Sequence, residues 1–233
     1  SNPAATRFEL RSPNPHSNAY IAMAVSYMSM LDGILYAVNN NKTEEDLLKE
    51  LSKQYGEDSD YLEKNRSYRS EDDVFEDFTE EERNKMYGTA PATIYENLSA
   101  LDKYPEKINV LKRNDVLTDQ LINSFKMATL QRWCTEIGNR IINKYTHEIR
   151  NFKPLHSLDK ALDLDVSNWM KINELRHYIM KDSYTSKSLF TRIKSAFIDE
   201  DYSSASKLYL ELESKMEELR NLYSSYKKNL LDI

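Results

Sequence analysis

The sequence predicts a mostly α-helical protein, on the strength of its scarce turn residues, its apolar spacing and its helix caps. Of 233 residues only 4 are glycine and 6 proline. A strand-rich fold needs many tight turns that recruit glycine for positive φ, so long helices joined by few turns fit better. Apolar residues recur at three- and four-residue intervals along most of the chain. Asn18, Thr43 and Thr79 stand where helices want an N-cap. A hydrophobic content of 40% with 30% charged residues is a globular composition with a well-solvated surface.

Taken in order, Thr6 to Arg11 alternate polar and apolar, which predicts one short strand. Pro13 and Pro15 stop it, because neither can donate to a ladder. Asn18 caps a helix running to about Val38, with Ile21, Val25, Met28, Leu31 and Leu35 on one stripe. Asn39-Asn40-Asn41 ends it. Thr43 with Asp46 opens a second helix, with Leu47, Leu48 and Leu51 inward. From Tyr55 to about Phe78 the chain turns acidic and loses its period, which reads as an exposed loop or insertion. Thr79 with Glu82 predicts a short capped helix, and Pro91 precedes another with Ile94, Tyr95, Leu98 and Leu101 on its buried face.

The longest helical pattern covers about Thr118 to Arg150. Leu121, Phe125, Thr129, Trp133, Ile137, Ile141, Tyr145 and Ile149 recur there at one spacing. Phe152-Lys153-Pro154 breaks it and is the most plausible boundary in the chain. Three amphipathic stretches follow, about 167–180, 185–198 and 203–231. In the last, Leu208, Leu212, Met216, Leu219, Tyr223, Tyr226 and Leu230 lie close to a heptad seam. An antiparallel helical bundle over 155–233 is the expected arrangement.

A net charge of −6 and a pI near 5.4 argue against a nucleic-acid binder, which needs a basic patch. No stretch approaches the length of apolar residues needed to cross a bilayer, so no membrane partner is expected. The N-terminus lacks a signal-peptide pattern. Cys134 is the single cysteine, so no internal disulfide and no thiolate metal cage can form. A cytoplasmic location fits all of this.

The residues richest in chemistry are Arg7, Glu9 and Arg11. On a strand, alternate positions share a face, so these side chains stand in a row at intervals of about 7 Å. Phe8 and Leu10 point the other way. A carboxylate between two guanidiniums suits a hard cation beside phosphate or carboxylate oxygens. A solvated ion-pair row on an edge strand is the plainer reading of the same pattern.

Arg7-Phe8-Glu9-Leu10-Arg11, then Pro13-Asn14-Pro15, Asn18-Ala19-Tyr20 and Leu31-Asp32-Gly33-Ile34, resemble the late catalytic-domain segment of glutamine synthetase. That family carries Arg-x-Glu-x-Arg, a Pro-Asp-Pro turn, Asn-Pro-Tyr and a helix ending in Leu-Asp-Gly-Ile. Four pieces match in order and spacing; Asn14 replaces the turn aspartate and Ala19 the proline. Ile94 to Glu136, including Ser99-Ala100-Leu101, is similar to the family's C-terminal helical pair. The resemblance implies that residues 1–150 are the C-terminal part of a larger α+β catalytic domain, and that 155–233 are a helical extension.

It also implies roles. Glu9 would ligate one active-site divalent metal, Arg11 would hold the glutamate substrate and the transferring phosphoryl group, and Arg7 would lie at the nucleotide phosphates. The intact enzyme would use ATP with Mg2+ or Mn2+, take glutamate and ammonia as substrates for glutamine biosynthesis, and assemble as homo-oligomeric rings. The family's other metal ligands lie upstream of the segment seen here. The implied expectation is therefore a fragment that binds no cofactor and is inert alone. The rival reading is a non-enzymatic helical interaction or oligomerisation module, or a catalytically dead family member.

Weaker signals have plain explanations. None of His16, His147, His156 and His177 pairs with another at metal-ligand spacing; His16 falls in the turn beside the charged row. Cys134 sits mid-helix without a histidine in register. The 16 tyrosines suit packing better than base stacking in an acidic chain. Three Asn-x-Ser/Thr triplets, at Asn41, Asn65 and Asn97, carry no meaning without a secretion signal.

Overall fold

A computed structural model describes residues 13, 17–157 and 159–231. The chain is mostly helical, with no strand among the described residues. The strand expected over 6–11 lies outside them. In order, the helices are α1 (Ala19–Asn39), α2 (Glu44–Leu51), α3 (Glu80–Tyr87), α4 (Ile94–Lys103) and α5 (Pro105–Lys112). Then come α6 (Asp119–Thr135), a π-helical segment (Glu136–Ile141), α7 (Ile142–Asn151), α8 (Asp163–Met180), α9 (Leu189–Ile198) and α10 (Tyr202–Leu231).

Two compact units emerge. One holds the described residues up to Ala90 together with Tyr104–Ile122; the other holds Pro91–Lys103 and the chain from Asn123 onward.

In the first unit the caps form where the sequence places them. Asn18 Oδ1 accepts from the backbone N–H groups of Tyr20 and Ile21, at 3.0 and 3.3 Å. Thr43 with Asp46 and Thr79 with Glu82 form reciprocal capping boxes. Each satisfies backbone donors that the first helical turn leaves open. Asn41 turns the chain between α1 and α2 at φ 52°, a left-handed conformation that asparagine tolerates. α1 packs against α5, a helix the apolar spacing did not reveal, whose first residue is Pro105.

Inward, α1 buries Met28 and half-buries Ile21, Val25 and Leu35. Leu31, Leu48 and Leu51, expected inward, are exposed. α1 also corrects the expectation about membranes. By length and composition it is a helix long and apolar enough to cross one. Ser26, Ser29 and Asp32 interrupt the apolar run but are too few to make the helix polar.

The acidic stretch is a loop, as expected, with an internal anchor. Lys53 is buried, and its ammonium donates to the carbonyls of Lys64, Glu57 and Gln54 at 2.9, 3.2 and 3.4 Å. One cation thereby ties the turn at Gln54–Glu57 to the chain at Lys64, neither of which lies in a helix.

The second unit has a continuous apolar core. α10 is its central helix, packed against α8, α9 and α4. Leu212, Met216 and Leu219 have no exposed surface and Tyr226 has 2%, which confirms the seam read from the spacing. Ile149 of α7, Ile179 of α8 and Ile193 of α9 are likewise fully enclosed in the same cluster. The core therefore runs across the proline break at Pro154. Trp133 meets Phe197 edge to face at 5.3 Å, and Trp169 lies 5.9 Å from Tyr226. Thr93 and Ser206 bury a hydroxyl pair at 2.6 Å, pinning the start of α4 to α10.

The π-helical segment corrects the long stripe. Strict four-residue steps overshoot a helical turn by about 40° each, yet Ile137, Tyr145 and Ile149 all reach the core and only Ile141 falls short of it. The π turn inserts one residue, and Ile142, 2% exposed, takes the core position expected of Ile141, which is half-buried. Two further residues of that stripe, Leu121 and Phe125, are exposed.

Candidate functional site

Arg7, Glu9 and Arg11, the residues singled out for chemistry, lie outside the described residues, as do Asn14 and His16. From Ser17 onward the described structure shows how the rest of the motif set is held.

Asn18-Ala19-Tyr20 forms the capped start of α1, and Leu31-Asp32-Gly33-Ile34 its last turns. Asp32 is the one ionisable carboxylate of that helix, and it has partners. Tyr61 donates its hydroxyl to Asp32 Oδ2 at 2.6 Å, and the Arg113 guanidinium lies 3.6 Å from Oδ1. The Tyr61 ring stacks on Tyr36 with centroids 4.3 Å apart. Hydrogen bonding to the Asp32 carboxylate, with burial and the same negative charge, pushes the Tyr61 phenol up to about 12.

One turn on, the Tyr36 hydroxyl donates to Glu50 at 3.0 Å, and Lys42 reaches the same carboxylate at 2.6 Å. Burial and the Glu50 hydrogen bond raise the Tyr36 phenol, and the Glu50 bond raises the Lys42 ammonium. This cluster fastens the end of α1 to α2 and to the acidic loop. Its charges are matched internally, so it positions the helix and offers no free group for catalysis. The signal that points to it in the sequence is Asp32 standing alone in an apolar helix.

The second unit holds a polar seam between α7 and α10. Tyr145 donates to Glu213 at 2.8 Å, and Arg220 grips Glu148 with two hydrogen bonds at 2.6 and 2.9 Å. The guanidinium also sits 5.4 Å from the Tyr145 ring centroid. Arg220 lowers the Glu148 carboxyl. A groove between α8 and α10 is lined by Lys171, Glu174, Tyr178, Lys215, Glu218 and Leu222; its charges alternate, and Lys215 pairs with Glu218 at 2.7 Å. Cys134 is half-buried, and burial pushes its thiol up, away from the nucleophilic thiolate.

Among the described residues, no three carboxylates, imidazoles or thiols converge in a way that would hold a metal. The described residues therefore contain no donor set that fits a divalent cation; the one expected ligand, Glu9, lies outside them.

Residues 1–65 match the family described as the glutamine synthetase catalytic domain. The match spans the charged row, α1, α2 and the start of the acidic loop. No curated protein and no solved structure matches the chain.

Proposed function

We propose, residues 1–65 matching the glutamine synthetase catalytic domain, that this chain is the C-terminal part of an ATP-dependent glutamate–ammonia ligase. The family match over the charged row carries the reading. In such a ligase the γ-carboxylate of glutamate takes the terminal phosphoryl group of ATP, releasing ADP, and ammonia then displaces phosphate to leave glutamine.

Glu9 is the metal ligand in this proposal. Arg11 holds the glutamate carboxylate and the phosphoryl oxygens, and Arg7 the nucleotide phosphates. Bound Mg2+ or Mn2+ supplies charge neutralisation at the phosphates. The arginines contribute fixed positive charge where negative charge builds up during transfer, and their forked donors set the orientation of what they hold. One carboxylate is too few for such a cation, which takes several oxygen ligands. The remaining ligands belong to chain upstream of the charged row, and the 233 residues alone make no glutamine.

Residues 1–150 form the end of the catalytic domain in this reading. The helices from 155 onward are an addition that docks on α7 through the common core, and the cytoplasm and a homo-oligomeric ring are its setting. The closed core of the second unit favours one further role. A bundle with its own interior serves as an attachment on the enzyme's exterior rather than as part of the reaction chamber.

The test is glutamine formation from glutamate, ammonia and ATP by the full-length gene product, its Glu9→Ala variant and the 233-residue chain. Activity is expected in the first and absent from the other two. Glutamine made by the 233-residue chain would overturn the reading.

A further inference from the structure

We propose that the groove between α8 and α10 is the contact face of a twofold dimer, its occupant a second copy of this chain seated groove to groove. The groove lies outside residues 1–65 and belongs wholly to the helical bundle, so this dimer is independent of the ligase reading.

α8 and α10 run antiparallel, since Trp169 lies beside Tyr226 at one end and Tyr178 donates to Glu211 at the other. Steps of four and seven residues keep to one face of a helix. Taken back from Tyr178 and forward from Glu211, they set Glu174 across from Lys215 and Lys171 across from Glu218, and all four line the groove. Each rung thus carries one cation and one anion, and their order reverses from one rung to the next. Leu175 and Leu222, packed into the core beneath, give the groove an apolar floor. Lys171 and Glu174 are exposed and have no ion-pair partner among the described residues, while Lys215 and Glu218 pair with each other at 2.7 Å.

The charge order selects the occupant. A partner of one sign meets two attractions and two repulsions across these rungs, and gains nothing. A second copy, turned about a twofold axis lying in the plane of the groove, meets the opposite charge at every position. With the axis along the helices, Lys171 of each copy faces Glu218 of the other, and Glu174 faces Lys215. With the axis across them, Lys171 faces Glu174 and Lys215 faces Glu218. Either contact uses the same patch twice and closes at two copies. The size is sufficient. The 18 residues of α8 extend about 27 Å, and two helices side by side present a face about 20 Å wide. Such a face buries roughly 500 Å² per copy and about 1,000 Å² in all, the lower bound for a specific interface. Because its charges stay close to solvent, the contact weakens as salt is added.

Sedimentation equilibrium of the 233-residue chain reads the contact. At low salt the mass is expected to rise with concentration from 27.4 kDa toward twice that value, and to fall back as salt is added. The variant Lys171→Glu/Lys215→Glu makes all four positions acidic, and Glu174→Lys/Glu218→Lys makes them all basic. Each is expected to weaken self-association about tenfold or more, and an equal mixture of the two to restore the dimer. Restoration also shows that both variants are folded. Should a double variant lose its helical circular dichroism, Lys171→Glu alone, at an exposed side chain, is expected to weaken the dimer in the same direction. A parent chain that stays monomeric at about 100 µM would overturn the proposal. So would charge variants that dimerise as strongly as the parent, which places the contact elsewhere, or folded variants whose mixture stays monomeric.

Discussion

Ile149→Ala tests whether the core crosses the proline break. Ile149 is the last apolar residue of α7 to enter the core, has no exposed surface, and shares its cluster with Ile172 and Ile179 of α8 and Leu219 of α10. Removing its outer methyls leaves a cavity among neighbours that are themselves enclosed, so collapse is limited. Substitutions of this kind cost about 2–5 kcal/mol, and full enclosure puts this one near ~3 kcal/mol. For a unit of about 120 residues, each kcal/mol moves the midpoint by about 3–5 °C, so a fall of about 9–15 °C is expected. Trp169 reports the transition, since it packs beside Tyr226 in that core. Its fluorescence is followed against temperature for the parent and the variant, with Ile149→Val, costing about 1 kcal/mol, as a graded control. An unmoved Trp169 transition would refute the reasoning, because it would mean that the helices after Pro154 form their core without α7.

Asp32→Asn removes the charge that holds up the Tyr61 phenol, and ultraviolet titration of tyrosinate is expected to move one group from about 12 back toward 10. Because the folded value is raised, this contact stabilises fully below pH 10 and its contribution is lost as pH rises toward 12; an unchanged titration would disprove the contact. Lys53→Met leaves three carbonyls without their cation, at a cost of about 1–3 kcal/mol. The Gly56 amide, which donates to Lys64 O at 3.0 Å, should then exchange faster with solvent, while amides of α10 stay as they are. Arg220→Ala is expected to raise the Glu148 carboxyl toward its ordinary 4.5, seen by NMR titration. The folded value is depressed, so the pair stabilises above that pH and weakens as pH falls through the depressed value. With both side chains partly exposed, the effect is roughly 0.2–1 kcal/mol.

Much of the fold was legible because helix signals are local. Asn18, Thr43 with Asp46, and Thr79 with Glu82 announce their caps in the residues themselves. The α10 seam is legible too, since its three- and four-residue steps survive into the packed core. What escaped depends on neighbours distant in sequence. The π turn at 136–141 shifts the register by one residue, and only the packed partners choose Ile142 over Ile141. Pro154 breaks the chain without dividing the core, because helices on either side of a turn can share an interior. The uncovered faces of α1 and α2 look in sequence like any buried face. Tyr61 on Asp32 joins positions 29 residues apart, with no periodic signal between them. The charged row at Arg7, Glu9 and Arg11 is legible from strand periodicity and family resemblance, and it lies outside the described residues.

The most direct measurement is made on the polypeptide that carries residues 155–233 in its source cells, captured with an antibody to that segment and supplied with glutamate, ammonia and ATP. ATP-dependent glutamine formation by a product much larger than the 27.4 kDa of this chain is expected. A captured product of that smaller mass, making no glutamine, would contradict the ligase reading and leave a free-standing helical protein.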